Sequence, residues 1–357
     1  MGASATGRTS SATSGFLASA GGVLITGAGG EVGHGLIHAL AGGGGAPRLY
    51  ATDLRELESS LREHCESAEA FDIRDDAEVA RVLAAGDIST VFHLAALLST
   101  SSEKNPELAF DVNVGGTMSL LKRCAERAVK TGRPIRVIYP STIAVYGLPD
   151  MATKARAGAV GEDQHLNPIT MYGCNKLSCE HLGRYFAQQY RMLSPEVPRH
   201  IIDFRGVRYP GLISADTVPT GGTSDFGPEM LHAAAQGKAY SCFVREDARI
   251  PFMTMPAAIR ATLRLAGVPR ESLTRHVYNI SAFAPTAGEF AALVHGFFPQ
   301  SRVSYDPHPL RQMIVDSWPA DIDCAAAQKD WGFDPGETLR SAFEDYLVPA
   351  IRKRYQL

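Results

Sequence analysis

The stretch Gly22-Val23-Leu24-Ile25-Thr26-Gly27-Ala28-Gly29-Gly30-Glu31-Val32-Gly33 decides the fold of this chain. A short apolar run that is typical of a buried strand meets a glycine-rich turn, and an apolar helix is predicted to follow through Leu40. Glycines allow the tight turn and let the backbone approach a diphosphate, while the helix start supplies free N–H groups. The stretch therefore predicts a dinucleotide-binding turn. Its candidate cofactor contacts are Gly27, Gly30, Glu31, Val32 and Gly33.

Outward from this turn, the first half of the chain alternates between predicted strands and helices. Further strands are predicted at 48–53, 68–73, 90–95, 135–139 and 200–206, with helices at 76–85, 105–131 and 170–190. Such alternation implies a parallel sheet with right-handed crossovers. We therefore predict an α/β fold, a doubly wound parallel-sheet Rossmann domain with a smaller C-terminal substrate-binding region. The expected divisions are a flexible tail at 1–21, the Rossmann domain at 22–207, and a mainly substrate-binding region at 208–357 whose segment near 277–280 returns to the sheet.

The ends of the later strands supply more candidate cofactor contacts. A carboxylate at Asp53, which ends the second strand, accepts hydrogen bonds from ribose hydroxyls and repels a 2′-phosphate, so NAD is favoured over NADP. Arg55 nearby argues the other way. Asp72 and Ile73 end the third strand and could touch the adenine, although Asp72 could equally cap the next helix. The small side chains that follow the fourth strand would let the backbone run beside the cofactor, which makes Leu94, Ala95 and Ala96 candidates.

Tyr172-Gly173-Cys174-Asn175-Lys176 is the second informative stretch. On a helix it places a phenol and an ammonium one turn apart, and a nearby ammonium favours the phenolate form of a tyrosine. Tyr172 is therefore a candidate general base, and Lys176 a candidate to assist it and to hold a nicotinamide ribose. Ser141 and Thr142 end the fifth strand, where the ligand crevice of a parallel sheet lies, and a hydroxyl there can bond the reacting oxygen. The combination indicates hydride transfer with a nicotinamide cofactor.

The composition of the chain argues against several classes of protein. Hydrophobic residues make up 45% of the 357 positions, and the net charge of −3 gives no reason to expect nucleic acid as a partner. No apolar stretch approaches the ~20 residues that span a membrane, so we expect no membrane partner. The six cysteines contain no Cys-x-x-Cys pair, and His93 is more typical of a core residue than of a ligand. We predict no metal site.

The first 21 residues differ from the rest of the chain. They are rich in Ser, Thr, Ala and Gly and contain no acidic residue. This composition predicts a flexible tail and is also compatible with an organelle transit peptide. A mitochondrial and a cytoplasmic location both stay open.

These motifs resemble those of the extended short-chain dehydrogenase/reductase family. The matching segments are Thr26–Gly33, Asp53, Val112–Thr117, Ser141–Gly147 and Tyr172–Lys176. The resemblance implies that Asn113 joins the active site, either as a relay through water or as a helix-shaping residue. It also implies that Thr142 is the catalytic hydroxyl, with Ser141 beside it.

A narrower resemblance is to the epimerase-like L-threonine 3-dehydrogenases within that family. Its segments are His93–Ser99, Glu103–Pro106, Arg208–Thr217, Gly221–Phe226 and Asp316–Pro319. The resemblance implies oxidation of L-threonine by NAD to 2-amino-3-oxobutanoate without a metal, in a homodimer paired through the helices at 105–131 and 170–190. It places near the amino acid Ser99, Thr142, Tyr172 and Thr223.

The same resemblance assigns three further features around the pocket. Pro210 would border the nicotinamide through its backbone, and Trp318 would either close the pocket or pack in the core. Residues 148–168 are slightly longer than the family core needs and could hold a mobile lid.

Two other functions remain as alternatives. A nucleotide-sugar epimerase or dehydratase of the same family would need basic residues from the C-terminal region to hold a sugar diphosphate, whereas the loop at 211–226 is short in bases and rich in small polar residues. A non-catalytic NAD-binding protein would be expected to have lost part of the catalytic set. Thr142, Tyr172 and Lys176 are all present.

Overall fold

The computed structural model describes residues 21–43, 45–219 and 221–357. The predicted tail at 1–21 lies, except for Gly21, outside the described residues. In the part of the chain that is described, no helix has the length and apolar character needed to cross a membrane.

A seven-stranded parallel sheet forms the centre of the molecule, in the order β11-β7-β5-β4-β1-β2-β3. The strand order steps outward in both directions from β1, which is the doubly wound arrangement predicted from the sequence and is confirmed. The strands in chain order are β1 (Gly22–Thr26), β2 (Leu49–Asp53), β3 (Ser67–Ala70), β4 (Ile88–His93), β5 (Ile135–Thr142), β6 (Ala159–Val160), β7 (Ile202–Tyr209), β8 (Gly211–Ile213), β9 (Ala239–Cys242), β10 (Phe252–Thr254), β11 (Val277–Asn279), β12 (Arg302–Tyr305) and β13 (Asp321–Ile322).

Helices cover both faces of this sheet and build the C-terminal region. Two π-helical segments, Asp111–Gly115 and Phe343–Leu347, and two 3-10 turns, Ile143–Val145 and Arg270–Ser272, interrupt or join them. The α-helices are α1 (Glu31–Ala41), α2 (Ser59–Arg62), α3 (Asp76–Ala85), α4 (Ser99–Lys104), α5 (Pro106–Phe110), α6 (Gly116–Thr131), α7 (Met151–Ala157), α8 (Met171–Gln188), α9 (Phe226–Ala235), α10 (Met255–Gly267), α11 (Ala287–Phe297), α12 (Pro309–Ser317), α13 (Ala325–Trp331), α14 (Leu339–Ala342) and α15 (Val348–Tyr355).

The sheet is buried on both faces, which is why its strands appear in the sequence as continuous apolar runs. On one face Ile25 and Phe92 pack against α1 and α10, in a cluster that includes Ile259. On the other face Val91 and Leu120 belong to a cluster formed with α3, α6 and α8. Two separate apolar layers therefore fix the sheet, and with it the strand ends that carry the candidate site.

The C-terminal region has its own aromatic core. Phe226, Phe252, Phe290 and Phe343 are fully buried together there. Although β11 lies late in the chain, it pairs in parallel with β7 at the edge of the main sheet. The C-terminal region is thus attached to the sheet by a strand as well as by side-chain packing.

The predicted long helix at 105–131 is present from Pro106 to Thr131, and a π-helical segment lies within it. Asn105 caps α5 by accepting from the backbone N–H of Leu108, and Pro106 occupies the first turn. A π-helical segment then joins α5 to α6. Such single-turn π segments are frequent at functional sites.

The segment at 148–168 contains α7 and β6 and packs on the C-terminal region. Strand β6 pairs with β13, and Leu148 donates its backbone N–H to Ser317. The buried Lys154 donates to the carbonyl oxygen of Val315 at 2.9 Å. These bonds place the segment predicted as a possible lid against the last turn of α12, next to Trp318.

Candidate active site

Two glycines of the first turn occupy positions that no side chain fits. Gly27 has φ +67°, and a Cβ there would lie 2.6 Å from the backbone nitrogen of Ala95. A Cβ on Gly33 would lie 2.4 Å from the carbonyl oxygen of Ala28, so the first turn of α1 packs directly on the loop. The turn therefore leaves exposed backbone at a helix start, which fits the diphosphate of a dinucleotide.

Asp53 lies beside this turn, at the end of β2. Its Oδ2 accepts the backbone N–H of Gly29 at 2.9 Å, and the backbone N–H of Arg55 donates to Oδ1 at 3.3 Å. The carboxylate is partly exposed and borders the same cavity as the glycines. This is the position from which a carboxylate reaches ribose hydroxyls in a dinucleotide fold.

Asp72 does not cap the next helix, so that alternative is wrong. Asp75 is the cap of α3 and accepts the backbone N–H groups of Ala77 and Glu78. Asp72 instead pairs with Arg74, with Oδ2 and Nη2 2.7 Å apart, and this guanidinium holds the pKa of the carboxyl below its usual value. Asp72 and Ile73 both line the cavity.

A single cavity of about 1210 Å³ joins the glycine turn to the ends of β4, β5 and β7. This exceeds the ~300–1,000 Å³ of typical small-ligand pockets and leaves room for a dinucleotide with a small substrate. Of the predicted site residues, only Asn113 does not line it. Those that do are Gly27, Gly30, Glu31, Val32, Gly33, Asp53, Asp72, Ile73, Leu94, Ala95, Ala96, Ser99, Ser141, Thr142, Tyr172, Lys176, Pro210 and Thr223.

Tyr172 and Lys176 lie in the first turns of α8. Thr170 caps this helix by accepting the backbone N–H of Gly173. A Cβ on Gly173 would lie 2.1 Å from the carbonyl oxygen of Ala144, so the glycine lets α8 approach the turn that follows Thr142. This close approach brings the phenol, the ammonium and the strand-end hydroxyl to one wall of the cavity.

Burial is the largest cause of the pKa shifts of Tyr172 and Lys176. It raises the pKa of Tyr172 above its ordinary value and lowers the pKa of Lys176 to about 8. The Nζ atom of Lys176 donates to the carbonyl oxygen of Pro140 at 2.7 Å and lies 4.6 Å from the ring centre of Tyr139. The same Nζ atom lies 5.6 Å from the ring centre of Tyr172. The expectation that Lys176 favours the phenolate of Tyr172 stays a prediction, in which the positive charge of a bound nicotinamide takes part.

Thr142 presents its hydroxyl at the end of β5. Its Oγ1 accepts the backbone N–H of Ala144 at 3.1 Å, which fixes the rotamer and starts the 3-10 turn. The hydroxyl proton remains available, so Thr142 can donate to an oxygen in the cavity.

Ser141 points away from Thr142, as neighbouring residues on a strand do. Its hydroxyl donates to Glu180, which forms a two-pronged ion pair with Arg208 at 2.8 and 2.6 Å. Arg208 also donates to Tyr146, whose own hydroxyl donates to Asn279 of β11 at 2.7 Å. This buried network, which we call the Glu180 network, joins α8, β5, β7 and β11 directly beneath the active site.

The Glu180 network was not predicted from the sequence. The available signal was the spacing of Tyr172, Lys176 and Glu180, each four residues apart and hence on one face of a helix. The partner of the Glu180 carboxylate is Arg208, which begins the segment Arg208–Thr217 that resembles the family.

Asn113 acts on the cavity through the backbone of the loop after β4. Its side-chain oxygen accepts the backbone N–H of Leu97 at 2.7 Å, and its side-chain nitrogen donates to the carbonyl oxygen of Leu97 at 3.0 Å. Ser99 follows two residues later and lines the cavity. Asn113 thus lies in the π-helical segment, bonded to the loop after β4, and does not line the cavity itself.

The loop carrying Thr223 is held from both sides of the cavity. Thr100 of α4 donates to the carbonyl oxygen of Gly221 at 3.2 Å, and Arg311 of α12 donates to that of Gly222 at 2.5 Å. Thr223 is buried at the cavity wall. Trp318 is buried and also lines the cavity. Its position is therefore compatible with both predictions for it, closure of the pocket and packing in the core.

His93 is a core residue, as predicted. Its two ring nitrogens lie 2.8 and 3.0 Å from the hydroxyls of Thr26 and Thr117, and burial lowers its pKa to about 3. The six cysteines are all free thiols. Within 21–43, 45–219 and 221–357, no group of three or more His, Cys, Asp or Glu side chains could hold a metal ion.

Comparison with known proteins gives the family. The NAD dependent epimerase/dehydratase family matches residues 23–281. A Bos taurus protein named L-threonine 3-dehydrogenase, mitochondrial, is 34% identical over 87% of this chain and 78% of that protein. A solved structure described as monomeric L-threonine 3-dehydrogenase from a metagenome is 36% identical, with a TM-score of 0.79, over 93% of this chain and 99% of the other. The holo form of a GalE-like L-threonine dehydrogenase from Cupriavidus necator is 34% identical, with a TM-score of 0.78, over 91% and 99%.

The resemblance predicted from the motifs is thereby confirmed, together with the Rossmann-like fold. The match to the family model covers most of the described chain, including the glycine turn, the strand-end hydroxyls and the Tyr172–Lys176 pair. The chain belongs to the NAD-dependent epimerase/dehydratase family and is an oxidoreductase that uses a nicotinamide cofactor on a small-molecule substrate.

Proposed function

We propose that this protein oxidises L-threonine to 2-amino-3-oxobutanoate with NAD⁺, releasing NADH and a proton. The observation that carries this proposal is the make-up of the cavity wall at its substrate end. Among the described residues from 208 onward that line the cavity, none is Lys, Arg or His. They are apolar or small polar residues, such as Ser214, Thr223 and Ser224, with one carboxylate at Asp225.

This wall suits a small zwitterion better than a nucleotide sugar. A sugar diphosphate carries two negative charges that need cationic or backbone donors, and burying it without them would be costly. A zwitterion of the size of threonine needs hydroxyls and backbone groups, and the hydroxyl residues Ser99 and Thr223 both line the cavity. The epimerase alternative therefore lacks the side chains that it requires in the described C-terminal region.

In the proposed reaction Thr142 and Tyr172 bind the β-hydroxyl of threonine. Thr142 donates to the oxygen and fixes its orientation, and the phenolate of Tyr172 removes the proton as the C–H bond breaks. Bound NAD⁺ would supply the acceptor for the hydride of the β-carbon and would add positive charge to the site. Because burial raises the pKa of Tyr172 in the protein alone, forming the phenolate requires positive charge beyond Lys176. Lys176 holds the ribose and keeps one ammonium next to the phenol.

We further propose NAD rather than NADP as the cofactor. Asp53 ends β2 with its carboxylate at the cavity edge, where it would repel a 2′-phosphate. Arg74, a cation at the same end, is already paired with Asp72. Asp53→Ser should reduce the preference for NAD over NADP, as measured by the ratio of kcat/KM for the two cofactors.

We also propose a homodimer, with α5, α6 and α8 as the paired surface. Phe110, Met118 and Tyr185 expose apolar side chains on these helices. Since a similar structure is described as monomeric, the test is direct. Sedimentation equilibrium should give twice the monomer mass for the wild type and the monomer mass for Phe110→Glu with Met118→Glu.

The decisive test of the substrate is NADH formation with a panel of L-threonine, L-allo-threonine, L-serine, 3-hydroxybutyrate and UDP-glucose. We expect the largest kcat/KM with L-threonine, and aminoacetone as the decarboxylation product of the released 2-amino-3-oxobutanoate. Turnover of UDP-glucose with retention of NAD and no response to L-threonine would replace the proposal with the epimerase alternative. No turnover of any compound, with NAD bound, would favour a non-catalytic NAD-binding protein.

A further inference from the structure

A second cavity opens at the edge of the sheet opposite the active site, where the strands begin. Its volume is about 150 Å³, and its walls come from the starts of β4 and β5, the end of α6 and the start of β7. Strand β5 runs from Arg136 in this wall to Thr142 in the active site. The second cavity and the active-site cavity therefore lie at opposite ends of β5.

Positive charge predominates in the second cavity. Its wall contains three arginines, Arg127, Arg133 and Arg136, and one carboxylate, Asp203. Asp87 beside it pairs with both Arg127 and Arg133. Two guanidiniums that share one carboxylate leave a positive charge that a bound anion would neutralise.

Asp203 is also shared. Arg205, which is fully buried, and Arg136 both donate to its carboxylate, and the Nε of Arg270 lies 3.8 Å away. Burial and the neighbouring Arg205 lower the pKa of Arg136, whereas Asp203 raises it. Among these named groups, five arginines face two aspartates. Arg127, Arg133 and Arg136 line the cavity, whereas Arg205 and Arg270 lie outside its wall. An excess of guanidiniums over carboxylates around a cavity favours a negatively charged ligand.

Two hydroxyls in the same wall have no partner among the described residues. The Oγ1 atom of Thr90 and the Oγ atom of Ser89 are buried and make no hydrogen bond. Thr90 as a residue is 1% exposed. Buried hydroxyls are normally bonded, and leaving one unpaired destabilises the fold. An acceptor in the cavity would satisfy them, and an anion is such an acceptor.

The size of the cavity restricts the class of ligand. One water molecule needs about 10–15 Å³ of such space, so 150 Å³ accepts a tetrahedral oxyanion with a few waters and is too small for a nucleotide. Arginine binds phosphate oxygens through paired N–H donors, and three arginines in one wall match that geometry.

From this charge excess, the unpaired hydroxyls and the volume, we propose that the second cavity is a binding site for a tetrahedral oxyanion, either inorganic phosphate or the phosphate group of a monoester. Arg127, Arg133 and Arg136 hold the charge, and the hydroxyl of Thr90 donates to one oxygen. The site does not depend on which substrate the catalytic cavity takes.

The test is isothermal titration at constant ionic strength, with NADH saturating so that the dinucleotide cavity is filled. Inorganic phosphate and O-phosphoserine are the two probes, and chloride is the blank. The variants are Thr90→Val, which keeps the side-chain shape and removes the unpaired hydroxyl, and Arg133→Gln, which removes the most exposed guanidinium of the wall. Arg302→Gln is the control with the same change in charge, since Arg302 is an exposed residue of β12 that does not line the cavity.

We expect saturable binding of one oxyanion per chain, weakened about tenfold in Thr90→Val and Arg133→Gln and unchanged in Arg302→Gln. Binding of phosphate alone would identify a free-ion site, and binding of both probes would identify a site for monoesters as well. Absence of saturable binding would overturn the proposal. So would an equal loss in Arg302→Gln, which would reduce the effect to overall charge, or full binding in both cavity variants.

Discussion

Lys176 and Glu180 lie one turn apart on the same face of α8, and both are almost completely buried. Glu180 is fully paired, since Arg208 donates to both of its oxygens and Ser141 donates to one. Lys176 has a backbone carbonyl and an aromatic ring, and no carboxylate of a described residue forms an ion pair with it. Four residues apart on one face of α8 there are thus a charge with an ion-pair partner and a charge with none among the described residues.

The difference indicates a structural role for Glu180 and agrees with the proposed catalytic role of Lys176. A buried ion pair costs little once its geometry is complete, whereas a buried charge without a counter-ion lowers the stability of the fold. Its retention at the cavity wall is explained if the reaction uses it. The paired charge fixes β7 and β11 against α8, and the unpaired one remains free to act on a ligand.

The largest effect is expected from removing the group beside the unpaired charge. Tyr172→Phe deletes one hydroxyl and should lower kcat for threonine oxidation by a factor of at least about 10³, because the proton acceptor is lost. The ring that packs against the wall is retained, so the Kd for NADH, measured by fluorescence titration, should change less than about threefold. Comparable activity in wild type and variant would remove Tyr172 from the mechanism.

The comparison itself is tested by unfolding the two charge variants in denaturant. Glu180→Gln leaves Arg208 buried without its counter-ion and should reduce the free energy of unfolding by about 3–5 kcal/mol. Lys176→Met removes an unpaired charge and keeps the length of the side chain. Below pH 8 it should stabilise the fold by about 1 kcal/mol, even though activity is lost.

The sign of the pH dependence sharpens this second test. The pKa of Lys176 is lowered to about 8 in the folded protein from 10.5, so the unfolded chain binds more protons between these values. Wild-type stability therefore gains from Lys176 as pH rises from 8 to 10.5, and the advantage of Lys176→Met should shrink over that range. A stability loss in Lys176→Met equal to that in Glu180→Gln would show that both charges are structural.

Much of the dinucleotide half could be predicted from the sequence because its signals are local. The glycine turn at 27–33 and Asp53 at the end of β2 each lie in a short segment with a fixed place in the sheet. The order of the strands then follows from the alternation of strands and helices. These residues line one cavity because the carboxyl ends of parallel strands meet at the same edge of the sheet.

The unpredicted features depend on partners far apart in the chain. Glu180 pairs with Arg208, and Arg311 bonds the carbonyl oxygen of Gly222 from 89 residues away. The pKa of Tyr172 also required the structure, because spacing gives the distance between two side chains but not the direction in which the ammonium points. Asn113 showed the same limit, since its two bonds to Leu97 form only when the π-helical segment meets the loop after β4.

The smallest effect is expected at the loop that carries Thr223. There the charged Arg311 and the neutral Thr100 donate to the carbonyl oxygens of two adjacent residues, Gly222 and Gly221. Arg311 also stacks on Phe243, and burial lowers its pKa. Removing the charged anchor should loosen the loop more, because a hydrogen bond from a charged donor is about twice as strong as a neutral one.

Arg311→Met should therefore raise the KM for L-threonine about tenfold with kcat reduced less than threefold, and Thr100→Val should raise it about threefold. Initial rates at saturating NAD⁺ measure both parameters. Arg311→Lys keeps a charged donor and should recover part of the loss. If the KM for NAD⁺ rose as much as that for L-threonine, Arg311 would be supporting the whole cavity and not the loop alone.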